Sequence, residues 1–495
     1  MFKVDSHTWG DVILRVDVEH AVKEPGKQIH SDSDYSLVPS FREKIDRKFG
    51  LSPTGRRIFH NRAGKRQLLQ IDTKPARASY NEVMEIAVIG AGAAGIMAAL
   101  QAAPIVQGGG EVSLFEHNQS VGRKLLVTGS GRCNLSNDNL DPSLYFCEDS
   151  EWIAKFLDAF GVAELKDAFE KLGIPTTKTD DGWYYPLSQS AQSVVEILRE
   201  RLLEAGVLLR VAIEVEWFSW KDGQFELKLN WNERKTVERF DKLIVAAGGK
   251  AYPELGSKGS LFPAIERLGH TVETLTPALG PIFVDLGVFS VLKGLRFDAV
   301  TSIYLDGERL SSTFGNLIVT EKGFNGPGVM NLSHFVGLHP GQDLQLQVNF
   351  LAPFWEGMAE ELADLEKARG SLRGLLLRAL APKAVDFFLS KAQIPPETPI
   401  RSVEGEQLLS LLRVATDNRF KIKGAGDFKN SQVTIGGVPV GEVDPLTFES
   451  KLVPGLYLVG ETNNIAGPCG GYNLHYAFGS GILAGKHLVS SNYSS

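Results

Sequence analysis

From residue 84 onward, short apolar runs alternate with amphipathic stretches, the rhythm of an α/β protein. Ile86, Ala87, Val88 and Ile89 are apolar without interruption, as in a parallel strand covered on both faces. A glycine-rich turn follows, and Ala94, Ile96, Met97, Ala98, Ala99 and Leu100 continue as a helix. Glu111–Phe115 is a second buried strand, ending at Glu116. Trp152–Leu172 carries helical spacing up to Gly173, and Ser193–Leu203 carries it again before Gly206. Leu208–Val215 and Phe225–Leu229 read as strands, and a further buried strand runs from Lys242 into the pair Gly248–Gly249.

Near Thr276 the period shortens to two. Thr301–Leu305, Asn316–Thr320 and Leu344–Phe350 alternate apolar and polar residues, with Asp306-Gly307 as a hairpin signal. This predicts a small barrel or sandwich over 276–354. Helical spacing then returns over 355–426, as in Leu372–Leu380 and Gln407–Val414. Gln432–Val438 and Gly455–Glu461 read as strands, and Tyr476–Lys486 as a small-residue helix. The predicted class is α/β: a doubly wound, Rossmann-like domain begun by 84–275, interrupted by a β-barrel and a small helical subdomain, and completed by 427–495.

The turn after the first strand supplies the first chemistry. Gly90, Gly92 and Gly95 fall in the G-x-G-x-x-G register. Gly90 allows the tight turn, Gly92 lets a pyrophosphate reach the backbone, and Gly95 lets helix and strand sit close. Phosphates would lie on free N–H groups at the helix N-terminus. Glu116 stands where a carboxylate should meet ribose hydroxyls, which favours FAD or NAD over NADP. Ala91 and Ala94 in the same turn, and Val215 further on, join this cofactor-binding set. No second G-x-G-x-x-G appears, so a dedicated nicotinamide-binding domain is not indicated.

Composition narrows the setting. The chain has 495 residues, 43% of them hydrophobic, and a net charge of −7, which exerts no global pull toward nucleic acid or anionic membrane. Cys133, Cys147 and Cys469 form no C-x-x-C pair, so neither a disulfide framework nor a zinc site is indicated, and no metal is expected. A reducing cytoplasm suits them. No apolar run is long enough to cross a bilayer. Residues 1–83 lack clear periodicity and are strongly basic from Arg42 to Arg77. They read as a poorly ordered extension or as translation from a start placed upstream of Met84, with an RNA-binding arm as the sharper alternative.

Four blocks carry a resemblance. They are Ile89–Gly95, Gly122–Asn134 (GRKLLVTGSGRCN), Ala247–Pro253 (AGGKAYP), and Val453–Tyr457 (VPGLY) together with Gly470–Asn473 (GGYN). Together they resemble the BaiN/RdsA-type family of FAD-dependent oxidoreductases over about residues 84–490. The resemblance implies an FAD-binding α/β domain interrupted by a barrel and a helical unit. It implies that Gly90, Gly92, Gly95 and Glu116 hold the ADP half of FAD. Lys124, Arg132 and Asn134 would lie along its phosphates or flavin, Gly248 and Gly249 would approach it, and Gly460, Glu461, Gly470, Gly471, Tyr472 and Asn473 would close over ribityl and ring.

The same resemblance implies NAD(P)H as donor, and either uridine in large-subunit ribosomal RNA or a small enone or amine as substrate. A flavin-bound RNA or ribosome-assembly factor without turnover is the third reading. The chain departs from the family's pattern at Gly460-Glu-Thr-Asn-Asn464, at Pro468-Cys469, and at Asn325-Gly-Pro-Gly328. Reducing an activated C=C bond also needs an acid, and the candidates are Cys133, Cys469, Tyr472 and His475. The sequence leaves the oligomeric state open.

Overall fold

The computed structural model describes residues 83–352 and 370–493, together with two short segments, Phe59–His60 and Arg66–Gln67. Those two segments pair antiparallel within a first unit spanning Met1–Glu82. The rest of the extension predicted over 1–83, apart from Val83, and residues 353–369, which include the start of the helical stretch predicted from 355, lie outside the described residues.

The second unit begins at Val83. Strand β1 (Glu85–Ile89) runs into helix α1 (Ala93–Ala102), and strand β2 (Glu111–Glu116) lies parallel to β1. Helices α2 (Ser150–Ala159) and α3 (Val162–Lys171) occupy the stretch that reads as one helix. The chain breaks at Phe160, whose backbone leaves the helical region, and the Glu164 carboxylate accepts from the Gly161 amide to start the second helix. Helix α4 (Ala191–Glu204) leads to β3 (Leu208–Val211) and then β4 (Glu214–Lys221). These two also read as one strand. Ala212 takes a positive φ of 57° between them, so β3 stays in the parallel sheet while β4 joins β5 (Gln224–Trp231) and β6 (Arg234–Phe240) in an antiparallel one. Strand β7 (Lys242–Val245) returns to the parallel sheet, and helix α5 (Phe262–Arg267) follows.

Strand β8 (Glu273–Ala278) leads out to a closed antiparallel barrel. Its strands are β9 (Ile282–Val284), β10 (Arg296–Leu305), β11 (Glu308–Val319), β12 (Gly323–Asn325), β13 (Leu344–Asn349) and, after helices α6 (Pro382–Lys391) and α7 (Gly405–Thr416), β14 (Asn418–Ala425). The barrel order is β9-β12-β11-β10-β13-β14, with β14 pairing back to β9. Asp306 and Gly307 both take positive φ in the two-residue turn between β10 and β11, the geometry hairpins prefer.

One predicted boundary changes. Residues 418–425 lie within the stretch predicted as helical, yet they close the barrel. Their cations Arg419, Lys421 and Lys423 alternate with Phe420 and Ile422, which is the period of a strand with one face inward. Strand β15 (Val433–Gly437) then pairs antiparallel with β8, so the outgoing and returning connections are joined to each other.

Strand β16 (Leu456–Leu458) completes the parallel sheet in the order β16-β7-β1-β2-β3. Helix α8 (Tyr472–Tyr493) begins four residues earlier than its apolar pattern predicts. It packs directly on α1 because Gly481 and Gly485 carry no side chain there. A Cβ on Gly481 would fall on the Ala94 carbonyl oxygen, and one on Gly485 would stand 2.5 Å from that of Ala98. The chain's two ends of the nucleotide domain are thereby held in one layer.

Candidate functional site

The C-terminal ends of β1, β2, β7 and β16 open on one edge of the parallel sheet, where such sheets bind ligands. Two of the three motif glycines are demanded by packing. A Cβ on Gly95 would fall on the carbonyl oxygen of Gly90, and one on Gly90 on that of Ala246. Gly92 is different: a Cβ there would meet no protein atom within 4 Å. It is the N-cap of α1, and no side chain caps that end. Open room in front of uncapped N–H groups is a fit for a diphosphate.

Glu116 closes this end. One carboxylate oxygen accepts from the Ala91 amide at 3.0 Å, and the other from the backbone and side-chain nitrogens of Asn118 at 2.9 and 2.7 Å. Burial raises its pKa, but the hydrogen bonds from His117, Asn118 and Ala91 outweigh that and hold the carboxyl below its ordinary value. An ionised acceptor beside the glycine turn suits ribose hydroxyls. Ala91 is buried, and its carbonyl accepts from the Gly122 amide at 2.8 Å, tying the turn to the next loop. Ala94 lies beneath α8, its Cβ 3.0 Å from where one on Gly460 would be. Val215 is a buried residue of β4 paired with Leu229, so its placement is one of core packing.

The other end is assembled from distant segments. Lys124 Nζ pairs with Glu461 Oε2 at 2.5 Å, and Glu461 Oε1 accepts from the Thr434 amide at 2.7 Å. The Thr434 hydroxyl accepts from the amides of Lys250 and Ala251 at 2.8 and 3.0 Å. A Cβ on Gly249 would stand 2.5 Å from that hydroxyl oxygen, so the glycine pair is set by close approach to β15. Gly248 lies beside it at positive φ. Nothing in the sequence marked Thr434, which sits in an ordinary apolar strand. Gly460 carries the β16 chain into this cluster, its amide donating to Ser480 Oγ at 3.0 Å.

The loop after Lys124 is under backbone strain. Ser130 and Cys133, neither of them glycine, have φ of 57° and 62°. Arg132 projects outward, its guanidinium 4.5 Å from the Tyr185 ring centre. Asn134 is buried. With its nitrogen turned toward the carbonyls of Ser136 and Tyr184, at 3.0 and 3.1 Å, its oxygen accepts from the Gly471 amide at 3.3 Å. The Gly470 carbonyl accepts from Asn137 at 3.0 Å, and Asn473 closes its own turn through the amide and carbonyl of Gly467 at 2.9 and 2.8 Å. Asn134 and Asn473 are thus occupied in shaping backbone.

The four candidate acids separate. His475 is fully buried, with Nε2 2.9 Å from the Phe160 carbonyl and Nδ1 2.9 Å from the Ser136 hydroxyl. A carbonyl only accepts, so Nε2 carries the proton and Nδ1 accepts from Ser136. Burial lowers its pKa to about 4, and both ring nitrogens are used structurally. Cys133 is fully buried, its thiol pushed up to about 12 by desolvation. Tyr472 is nearly buried, edge-on to Tyr145 at 5.8 Å, its phenol pKa raised by burial. Cys469 alone is a half-buried thiol in the glycine-rich turn, and its amide donates to Asn331 Oδ1 at 2.9 Å. Asn331 follows the Gly326–Met330 turn beside the barrel, so Cys469 sits where barrel and nucleotide domain meet. Desolvation pushes its thiol up to about 12, which keeps it protonated. Tyr252, held at φ 59°, presents a half-buried phenol whose pKa is raised by burial. It lies within the AGGKAYP block, but nothing in that pattern marked it as polar machinery.

Among the described residues no group of three or more His, Cys, Asp and Glu side chains is placed to hold a metal ion, and no helix is long and apolar enough to cross a membrane. The chain is similar to the 3-dehydro-bile acid delta(4,6)-reductase of Clostridium scindens, 34% identical over 81% of this chain and 98% of the relative. It is also similar to the ribosomal RNA dihydrouridine synthase of Escherichia coli, 28% identical over 83% of this chain and all of the relative. Among solved structures, a 3-ketosteroid delta1-dehydrogenase from Sterolibacterium denitrificans is 13% identical with a TM-score of 0.46, covering 82% of this chain and 99% of that one. A family profile described as the HI0933-like protein Rossmann domain matches residues 84–487, spanning the glycine turn, the barrel and the closing helix alike. The chain therefore belongs to the HI0933-like family, and it is an oxidoreductase of that FAD-binding kind.

Proposed function

We propose that the protein reduces the C5=C6 bond of a uridine in large-subunit ribosomal RNA, taking electrons from NAD(P)H through FAD. The observation that carries this reading is the cationic rim of the ring end. Arg132 stands on one loop and Lys250 on another, lying over Tyr185 and Phe428 at 4.5 and 4.9 Å. Cations against aromatic faces suit a phosphate backbone with unstacked bases. The relatives named as ribosomal RNA dihydrouridine synthases support the same substrate class.

When bound, FAD supplies the two-electron chemistry. The protein's part is binding, orientation and one proton. The first turn of α1 would face the diphosphate and Glu116 the ribose. Lys124 and Glu461 would fix the ring end. Cys469 is the proton source we favour, because it sits in the glycine-rich turn at the junction with the barrel, held there by the hydrogen bond from its amide to Asn331. In the net reaction NAD(P)H gives a hydride equivalent, the medium gives a proton through the protein, and uridine becomes dihydrouridine as NAD(P)⁺ forms. A uridine must leave its stack to enter, so single-stranded or loop RNA is the expected form. Free thiols in such an enzyme suit the cytoplasm.

A second reading, reduction of a small enone, is favoured by the 34% identity to the bile acid reductase. One experiment separates them. The flavin-loaded protein is given NAD(P)H with ribosomal RNA from a deletion strain, or with a 3-oxo-4-ene steroid. Dihydrouridine detected by mass spectrometry supports the first reading. Steroid reduction with unchanged RNA replaces it with the second.

A further inference from the structure

The glycine turn that opens α8 rests on a short sheet outside the four sequence blocks. Ser136–Asn137, Trp183–Pro186 and Thr176–Lys178 form it, antiparallel, with Trp183 paired to Asn137 and Tyr185 to Thr177. Side chains two apart on a strand share a face, so Asn137, Trp183 and Tyr185 lie on the same one. Two segments of the ring end touch that face. Arg132 donates to the Tyr185 hydroxyl at 3.2 Å, and a Cβ on Gly129 would stand 3.4 Å from the Tyr185 ring. Asn137 Nδ2 donates to the Gly470 carbonyl at 3.0 Å, and a Cβ on Gly470 would stand 3.3 Å from Trp183 Cε2. The row from Tyr185 to Trp183 therefore runs from one cofactor segment to the other, and Trp183 packs on the residue next to Cys469.

The neighbouring rings are committed. Tyr145 meets Tyr472 edge-on at 5.8 Å, the Tyr184 hydroxyl donates to Asp138 at 2.6 Å, and Tyr185 lies under Arg132. Trp183 is partly exposed, and among the described residues its ring meets no other ring and its Nε1–H finds no acceptor. That nitrogen is bonded to Cε2, the ring atom nearest Gly470, so the N–H stands beside the glycine turn. It is not sealed: the only fully buried side-chain nitrogen or oxygen without a partner among the described residues is Asn463 Oδ1. An indole N–H is a donor only, so what completes it must be an acceptor. A half-wet ring with an unused donor suits a flat ligand carrying a carbonyl oxygen.

We propose that Trp183 is a substrate-binding residue, its indole supporting a planar conjugated carbonyl ring beside the glycine turn and its Nε1–H donating to a carbonyl oxygen of that ring. The inference rests on the reading of this site as reducing a C=C bond conjugated to a carbonyl, and a uracil and a cyclic enone both have that chemistry. Trp183 orients the ring and favours substrates with the carbonyl in place; no atom passes to or from it.

The test uses the full flavin-loaded chain and NAD(P)H with two probes, ribosomal RNA from a deletion strain and a 3-oxo-4-ene steroid. Trp183→Ala is expected to raise KM for the probe that is reduced roughly tenfold or more. Trp183→Phe, which keeps a ring and loses the N–H, should raise it about fivefold. In both, the larger share of the change should fall on KM rather than kcat, and flavin content should match the parent. A residue that only held the Gly470 turn would instead lose flavin and leave KM alone. Steroid reduction with unchanged RNA removes the RNA reading, and Trp183 is then judged on the steroid KM. If the parent reduces neither probe, binding is read from the change in flavin absorbance on adding uridine monophosphate or the steroid, with the same fold-changes expected. Unchanged KM or binding in both variants overturns the inference, as does flavin loss in Trp183→Phe or a parent that binds neither compound.

Discussion

The adenine end and the ring end of the cofactor site are built on different plans. Nearly everything at the adenine end comes from one run of chain between Glu85 and Asn118: a strand, a glycine turn, an uncapped helix, a second strand and the asparagine that holds Glu116. The ring end joins Lys124, Gly249, Asn331, Thr434, Glu461 and Cys469, brought together by hydrogen bonds across hundreds of residues of chain. A continuous unit can be carried intact from one protein to another. An assembled end changes whenever one of its segments changes. The three departures from the family pattern all lie in segments that feed the ring end, which is where substrate choice would be decided.

The strongest way to break the comparison is at a glycine that packing demands. Gly95→Ala places a methyl group on the Gly90 carbonyl oxygen, and no rotamer relieves it. We expect a loss of upward of ~3 kcal/mol and no flavin-loaded protein, read by thermal melting and flavin content. A Gly95→Ala protein that melts normally and holds FAD would show that α1 can move away from the turn, and the adenine end would lose its rigid character.

Acid pH strikes the ring end next. The unfolded chain protonates His475 near its ordinary 6.5, while the native site resists until about 4. Its folded pKa is depressed, so its contribution to stability is intact above 6.5 and is lost as pH falls toward 4. At ~1.4 kcal/mol per unit the loss over that window is about 3 kcal/mol. Denaturation curves across that range should show a shallower acid decline in His475→Gln. His334, lowered to about 4 by burial in the same way, remains in both proteins as an internal control.

Cys469 and Cys133 then separate chemistry from packing. Cys469→Ala is expected to cost roughly 100-fold in turnover with FAD retained, as removal of a proton donor does. Cys133→Ala should leave turnover near normal and lower the melting temperature instead, because its thiol is buried against the loop. Equal turnover in both would remove the thiol from the mechanism and leave Tyr252 as the next acid to test.

These contrasts also explain what was legible in the sequence. The parallel strands, the glycine register, Glu116 and the alternation of the barrel all depend on neighbours close in the chain, and periodicity reports them. His475 looked like a chemical group because histidine in a glycine-rich turn often is one. Only the fold shows Phe160 and Ser136 consuming both of its nitrogens. Thr434, Asn331 and Tyr252 carried no local signal, since their importance comes from partners far away in the sequence. Strand β14 was hidden for a related reason: its outward cations resemble a solvated helix face until its inward partners are known.

Gly92→Ala sharpens the adenine end from the other side. Its φ of −86° suits alanine and its Cβ would meet no protein atom, so the cofactor-free protein should lose only about 1 kcal/mol, the ordinary preference of an N-cap for glycine over alanine. The methyl group would enter the space assigned to the diphosphate, and FAD affinity should fall about tenfold, since one crowded contact of about 1.4 kcal/mol is enough. Equal FAD binding would mean that the diphosphate lies elsewhere.

The smallest effect is the most specific. Glu116 has a folded pKa below its ordinary value, so its ionised form stabilises the fold above the usual carboxylate range and the gain is lost as pH falls through the folded pKa. In the cofactor-free protein, Glu116→Gln should therefore melt lower than the parent at neutral pH, and the gap should narrow on acidification. Adding FAD should widen the neutral gap, because the carboxylate then also serves the ribose. A gap that is independent of both pH and FAD would mean that Glu116 merely ties the Ala91 amide to Asn118. The adenine end would then recognise its ligand through the helix N-terminus alone, with backbone groups that the rest of the sequence does little to influence.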